Sequence, residues 1–382
     1  MKTKGYLVTS GMVLFFSALL LISGLGGCSS GSGRSDTALS AAEGTVGSVG
    51  IVLTDGPADE YDHIYITITE ISLLPNDENG EPVVIFQSTE GYEVDLLSLR
   101  DKTFLLTLEE DIPAGTYEKI RMYISEIYPV GGPCEELELK LPSGKVDINP
   151  QGEFIVEPGQ NLYILLDIDA DQSIDDNAIS IHQAGKSGKC IFRPVVFGEI
   201  LTEFPQVSCL GIHEGIIRDL TDSDEDGFPE EFLLGRTSDS IGGLRVILTE
   251  TTRYVSLDSV YVDSDYLVPE QRVTVLGRID EYGHIQASLV IVGDSLALEG
   301  MVLDGVVASE FPVAFSPGQG IVGDAQVVLL DETFIISGCD TISVPEDIIP
   351  GDGITLVGRY FASDEDRFRA LAVFLPEAPT PR

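Results

Sequence analysis

The sequence predicts an all-β protein, an N-terminal antiparallel β-sandwich followed by two tandem small OB-like β-barrels. Three observations predict it. Apolar and polar residues alternate over many short runs, turn residues separate the runs at near-regular spacing, and the second half of the chain repeats itself. With 382 residues there is room for two or three domains of about 100–200 residues each. Hydrophobic residues make up 43%, enough to build cores despite a formal charge of −41. That charge excludes the phosphate backbone of nucleic acid as a partner, because binding it needs clustered Lys and Arg.

The first element is an address. Lys2 and Lys4 precede an apolar run from Tyr6 to about Ile22, closed by Leu25-Gly26-Gly27-Cys28. A basic start, an apolar core and small residues before a cut mark a secretory signal peptide, here residues 1–27. The run is also long enough for an uncleaved membrane anchor. Leu-Gly-Gly-Cys resembles the lipobox of bacterial lipoproteins, which implies cleavage before Cys28 and acylation of that residue. Several acyl chains on one residue anchor firmly, since each buried CH₂ adds about 0.8 kcal/mol. Ser29 follows the cysteine, and the resemblance then implies the outer membrane if the host is Gram-negative. The membrane, reached through the anchor, is the first expected partner. Gly27-Cys28-Ser29-Ser30-Gly31 fits the Gly-x-Ser-x-Gly hydrolase pattern, but that motif needs a strand before the Ser and a helix after it.

Residues 28–46 are small and polar, a flexible tether. The sandwich is expected over 47–200. Ile51-Val52-Leu53-Thr54 is an apolar run closed by the turn signal Asp55-Gly56-Pro57. Ile64, Ile66 and Ile68 alternate with Tyr65, Thr67 and Thr69, and Ile71 breaks the period with a bulge or turn. Ile120, Met122 and Ile124 repeat the device within Tyr117–Tyr128. Further strands are expected at Val83–Phe86, Tyr92–Leu97, Leu137–Leu141, Leu162–Ile168 and Ile191–Phe197.

The barrels are expected at 207–293 and 297–376, before a disordered tail at 377–382. Glu214-Gly215 matches Glu299-Gly300, Val246 through Ser256 matches Val327 through Ser337, Val273–Arg278 matches Ile354–Arg359, and Ile285-Gln286-Ala287 matches Phe368-Arg369-Ala370. The offsets are 85, 81, 81 and 83 residues. Five or six short strands per copy suit a closed barrel, which leaves no open edge.

The sandwich stretch resembles the bacterial domain-of-unknown-function 4382 family of exported lipoproteins. Leu53 through Asp59, Ile68–Leu73, Asp95-Leu96-Leu97, Pro113–Tyr117, Leu166–Asp171 and Arg193-Pro194-Val195 carry the resemblance, in order. The repeats resemble a second uncharacterised family of small secreted OB-like β modules. Neither resemblance implies a catalytic residue.

With Cys28 lipidated, Cys134, Cys190, Cys209 and Cys339 remain in an oxidising compartment, and an even count there favours two disulfides. Of three pairings, Cys134–Cys190 and Cys209–Cys339 are favoured, and closing the first loop stabilises by about 4 kcal/mol in the chain-entropy account.

Asp222, Asp224 and Asp226 stand at positions 1, 3 and 5 of a loop with Gly227 at its turn, the Phe228 carbonyl next and Glu230 at position 9. Ca²⁺ takes six to eight oxygens, so this set fits a calcium loop between two strands. The alternative is a solvated acidic hairpin tip. Asp167, Asp169, Asp171 and Asp175 are a weaker set at a strand end, where a solvated sheet face is the competing reading. Asp55, Asp59 and Asp62 either hold an ion or cap turns. His63, His182, His213 and His284 are scattered with no nucleophile motif. Tyr61 and Tyr92 are candidates for stacking on sugars. The expected function is a lipid-anchored cell-envelope protein acting as a non-enzymatic binding or structural module, stabilised by calcium, with an envelope protein or glycan as partner. The alternatives are a carbohydrate-binding accessory lipoprotein and a carboxylate-based hydrolase.

Overall fold

The computed structural model describes residues 45–55, 61–77, 80–99, 103–135, 138–141, 143–169, 174–175, 189–204, 210–222, 228–257, 261–316, 323–339, 341–361 and 367–376. Outside them lie Cys28 with the signal peptide, most of the tether, Asp59, Asp171, Cys209, Asp224, Asp226 and the tail. Among the described residues no helix is long and apolar enough to cross a membrane.

The first module contains β1 (Val46–Asp55), β2 (His63–Pro75), β3 (Val83–Asp95), β4 (Phe104–Pro113), β5 (Gly115–Val130), β6 (Glu138–Lys140), β7 (Lys145–Ile148), β8 (Phe154–Val156), β9 (Asn161–Ile168), β10 (Ile174–Asp175), β11 (Lys189–Phe192) and β12 (Val196–Leu201). One sheet has the order β12-β9-β1-β4, the other β3-β2-β5-β7 with β8 also on β5, and β10-β11-β6 form a small third. On β2 the expected alternation holds: Ile64, Ile66 and Ile68 are fully buried. A bulge between Ile68 and Glu70 then resets the phase, so Ile71 and Leu73 also point inward. Two expected runs, Val83–Phe86 and Tyr92–Leu97, are mostly one continuous strand, β3. Ile191–Phe197 is instead divided, because Pro194 cannot donate to a ladder and β11 and β12 join different sheets.

The pairing is not wholly antiparallel. β1 runs antiparallel to β4 but parallel to β9, which returns after crossing the other sheet. Ile51, Leu53, Leu106, Ile164 and Leu166 face the sandwich core, while Val52, Leu105, Leu108 and Tyr163 face the other way into a second core shared with the next module. The β1-β4-β9 layer is therefore buried on both faces. That is why β4 carries a near-continuous apolar run with no period of two to reveal it.

The second module contains β13 (Gly211–Thr221), β14 (Glu231–Gly235), β15 (Leu244–Ile247), β16 (Arg253–Ser256), β17 (Arg272–Ile279) and β18 (Ile285–Val292). The third contains β19 (Leu296–Val302), β20 (Glu310–Phe315), β21 (Asp324–Ser337), β22 (Thr341–Ile342), β23 (Gly353–Phe361) and β24 (Arg367–Leu375). In one the ring β15-β14-β13-β17-β18 closes through a parallel β15–β18 pair. In the other β20-β19-β23-β24-β21 closes through a β20–β21 pair, with β21 and β24 parallel. Both are closed five-stranded barrels. Equivalent bulges fall before Gly277 and Gly358, where an added Cβ would come within 2.5 Å of Ile285 and 2.0 Å of the Arg369 carbonyl. Only glycine lets the strands approach so closely at a barrel corner. Thr252 and Thr333 likewise donate to the carbonyls of Ala287 and Ala370, at 2.9 and 2.7 Å.

Cys134 and Cys190 are disulfide-bonded with Cα atoms 6.0 Å apart, as expected. Cys339 is also in a disulfide, and its expected partner Cys209 lies outside the described residues.

The modules are fused into one compact unit. Val255, Leu276, Leu289 and Ile291 of the first barrel share a core with Ile336, Val357, Leu371 and Ala372 of the second. The segment 236–243 locks the first barrel to the sandwich. Arg236, 4% exposed, donates to the carbonyls of Leu106 (2.9 Å), Leu105 (2.6 Å) and Glu214 (3.0 Å). Its guanidinium lies over Phe104, 4.6 Å from the ring centre, with Tyr92 at 5.5 Å. Asp239 accepts from the Ser88 hydroxyl (2.8 Å), the Thr89 amide (2.8 Å) and the Thr89 hydroxyl, which hold its pKa well below the usual carboxylate range. Ile241 and Gln87 exchange backbone hydrogen bonds, and Leu108 donates to Gly243 at 2.9 Å. Gly242 has φ +81°, and a Cβ there would come within 2.5 Å of the Ile85 carbonyl. Farther along, Glu110 accepts a bidentate pair from Arg245, at 3.1 and 2.6 Å.

Candidate functional site

A cleft of about 850 Å³ opens where the three modules meet. The sandwich supplies Asp62, His63 and Tyr65 at the start of β2, Asp95 at the end of β3, and the turn Leu97-Ser98-Leu99 leading into β4. The first barrel supplies Leu210 to His213 and Ile279, and the second Ala297, Glu299, Thr355 and Phe374. Leu, Ile and Phe side chains make most of the floor. Among the described residues that line it there are three carboxylates and two histidines, and neither Lys nor Arg.

On the sandwich side, His63 Nδ1 lies 2.7 Å from Asp95 Oδ2. Asp95 Oδ1 accepts from the amides of Ile64 (3.3 Å) and Leu97 (3.2 Å), so the carboxylate ties the strand end to the following turn. His63, Tyr65 and Tyr128 form a row of stacked rings, with centres 5.6 and 4.9 Å apart. Tyr128 donates to Glu93 at 2.9 Å. Burial, and then the Glu93 hydrogen bond, push the Tyr128 phenol up to about 12. Burial, Asp95 and Glu93 raise that of Tyr65. This wall of the cleft is negative.

On the barrel side stands His213, 7% exposed, with no hydrogen-bond partner on either ring nitrogen. Burial, with the Arg236 charge beside it, holds its pKa down to about 3, so the imidazole is neutral. The nearby Gly277 backbone offsets part of that fall. A buried, unsatisfied imidazole is rare enough to require a reason. The internal repeat carries the signal that marks it. Glu214-Gly215 matches Glu299-Gly300, so His213 stands where the second copy has Leu298, a core residue 3% exposed.

The other expected sites lie elsewhere. Asp222 follows β13 and Glu230 precedes β14, and the Glu230 amide donates to Thr221 at 2.9 Å, pinning the loop's two ends. Phe228 is 59% exposed beside it. Asp167 is half-buried and its pKa is raised by burial and then by Asp169. The side chains of Asp55 and Asp175 lie outside the described residues. Among the described residues no group of three or more His, Cys, Asp or Glu side chains is placed to hold a metal. The sugar-stacking expectation for Tyr61 and Tyr92 is corrected. Both pack against the sandwich core, and Tyr92 stacks on Phe104 with centres 6.1 Å apart.

Residues 46–194 match the family described as domain of unknown function (DUF4382), a span that runs from β1 through β11. No curated protein and no solved structure matches the chain.

Proposed function

We propose that this is an exported, lipid-anchored protein of the cell envelope that holds a small ligand in the cleft between its three modules. The observation that carries the reading is the cleft itself, a mostly apolar hollow at a domain junction with a few convergent polar groups. A methyl-resolved NMR screen with small fragments tests it. Shifts are expected at Ile212 and Ile279, and Ala297→Trp, which projects an indole into the hollow, removes them. Shifts confined to other regions, or surviving Ala297→Trp, would overturn the reading. A carbohydrate ligand is the second reading, favoured by the row His63-Tyr65-Tyr128, although these rings cover one another's faces.

Anchoring is tested separately. An alkyne-bearing fatty acid fed to the host labels the parent chain and leaves Cys28→Ala unlabelled. Equal labelling of both would remove Cys28 from the account.

Calcium at the Asp222–Glu230 loop belongs to the same proposal, supported by the pinned loop ends. Ca²⁺ at 100 times its Kd stabilises by about 2.7 kcal/mol. The midpoint of thermal unfolding should therefore rise over that in EDTA, and Asp224→Ala should abolish the rise. An unmoved midpoint in the parent would exclude the ion.

A further inference from the structure

We propose that the cleft takes an uncharged ligand, an apolar body carrying a hydroxyl that donates to His213 Nε2, a reading that rests on the cleft being a ligand site. Two positions that differ between the barrels carry it. In the first barrel Gly211 pairs with Gly277 and His213 with Val275. In the second Leu296 pairs with Gly358 and Leu298 with Leu356. The two ladders correspond residue for residue, and at neighbouring positions of one strand face a pair of leucines is replaced by Gly211 and His213 together. A Cβ on Gly211 would come within 2.8 Å of His213 Nε2, so a side chain there would press on the ring nitrogen. The glycine leaves it open, and both residues line the hollow. The imidazole is 7% exposed and neither nitrogen has a hydrogen-bond partner. Neutral, it keeps one nitrogen as an acceptor for a hydroxyl proton.

Charge selects against ions of either sign. Asp95 is matched by His63 at 2.7 Å, and Asp62 and Glu299 are exposed to water. The buried Arg236 charge beside His213 is committed to three carbonyls. An ammonium at His213 would meet Arg236, a carboxylate would enter among three carboxylates, and either would lose its water. The floor of Leu97, Ile212 and Phe374 instead favours an apolar body. A sugar would leave most of its hydroxyls unpaired over that floor.

The test uses a matched series on the exported chain at pH 7.5: 1-octanol, its isomer 1-methoxyheptane, octylamine and octanoate, below micelle-forming concentrations. Methyl shifts at Ile212 and Ile279 give the affinities. Octanol should bind tightest, with each ion at least about tenfold weaker. The ether cannot donate a hydrogen bond, so it should also bind more weakly than octanol. His213→Leu should weaken octanol about tenfold, the worth of one good hydrogen bond, and remove its advantage over the ether. Gly211→Leu/His213→Leu copies the second barrel's pair and so should fold, and it should lose octanol binding altogether. Octanol binding unchanged in either variant, an equal loss for both isomers in His213→Leu, or an ion bound as tightly as octanol would overturn the hydroxyl ligand and leave the cleft as an apolar site. Binding of none of the four would overturn the cleft reading as well.

Discussion

Arg236→Met should cost the protein about 3–5 kcal/mol and split its unfolding into two steps. The guanidinium donates to three backbone carbonyls drawn from the sandwich and the first barrel; the bonds to Leu105 and Leu106 are buried and the one to Glu214 is partly so. A charged donor's hydrogen bond contributes about 1.5–3 kcal/mol, and each carbonyl left unpaired in the interior adds its own penalty. Relief from burying the charge, which already lowers the Arg236 pKa, offsets part of the loss and sets the lower end of the range. Arg236→Lys should recover less than half, because a point-like ammonium cannot span three carbonyls set around a planar fork. Differential scanning calorimetry reads both effects. A single transition at the parent midpoint in Arg236→Met would show that segment 236–243 does not hold the modules together.

Nothing in the sequence pointed to that lock, for a physical reason. Its acceptors are main-chain carbonyls, which every residue owns, so Leu105, Leu106 and Glu214 carry no mark of it. The same limit hid β4. Phe104 to Leu108 is apolar on both faces because both faces are covered, and period-two reading needs one wet face. Where a strand has one wet face, as at Ile64, Ile66 and Ile68, the pattern was plain. The barrels were legible because the copies repeat their constraints, down to Gly277 and Gly358 at matching bulges. His213 reads in the sequence as one of four scattered histidines, although the repeat aligns it with Leu298, which the structure shows to be a core position. His63 and Asp95 are 32 residues apart, and only the β2–β3 pairing brings them together.

Placing the second repeat's residue in the first, His213→Leu, should stabilise the protein and flatten its response to mild acid. The gain at pH 7.5 is about 1–3 kcal/mol, the usual penalty of a buried polar group without a partner. For the acid response, the unfolded chain protonates this imidazole near 6.5 and the folded chain only near 3. Between those values the unfolded state binds more protons, so stability is complete above pH 6.5 and is lost as the pH falls toward 3. The slope is about 1.4 kcal/mol per pH unit. Glu110 adds a separate loss. His284 and Arg245 hold its pKa at about 2, so its contribution fades only below its ordinary 4.5. The difference between the two proteins in urea unfolding from pH 6.5 to 5 therefore isolates His213, because Glu109, Glu214 and Asp167, whose pKa values burial raises, titrate alike in both. Across that window the parent should lose stability relative to His213→Leu. Parallel curves would mean that the ring has a partner, a bound water for instance, and keeps an ordinary pKa.

The middle layer of β1, β4 and β9 bears on how such a chain is inherited. The stretch that matches a recognised family ends at residue 194, before either barrel begins. Yet Val52, Leu105, Leu108 and Tyr163 on that stretch belong to a core completed by the first barrel. Moved alone into another gene, the stretch would arrive with an oily face uncovered, a liability in water. A relative without barrels must repaint those four positions with polar side chains or recruit a different cover. The matched stretch and the packed core are thus different lengths of this chain, and those four positions are where a comparison of relatives would reveal which cover each one wears.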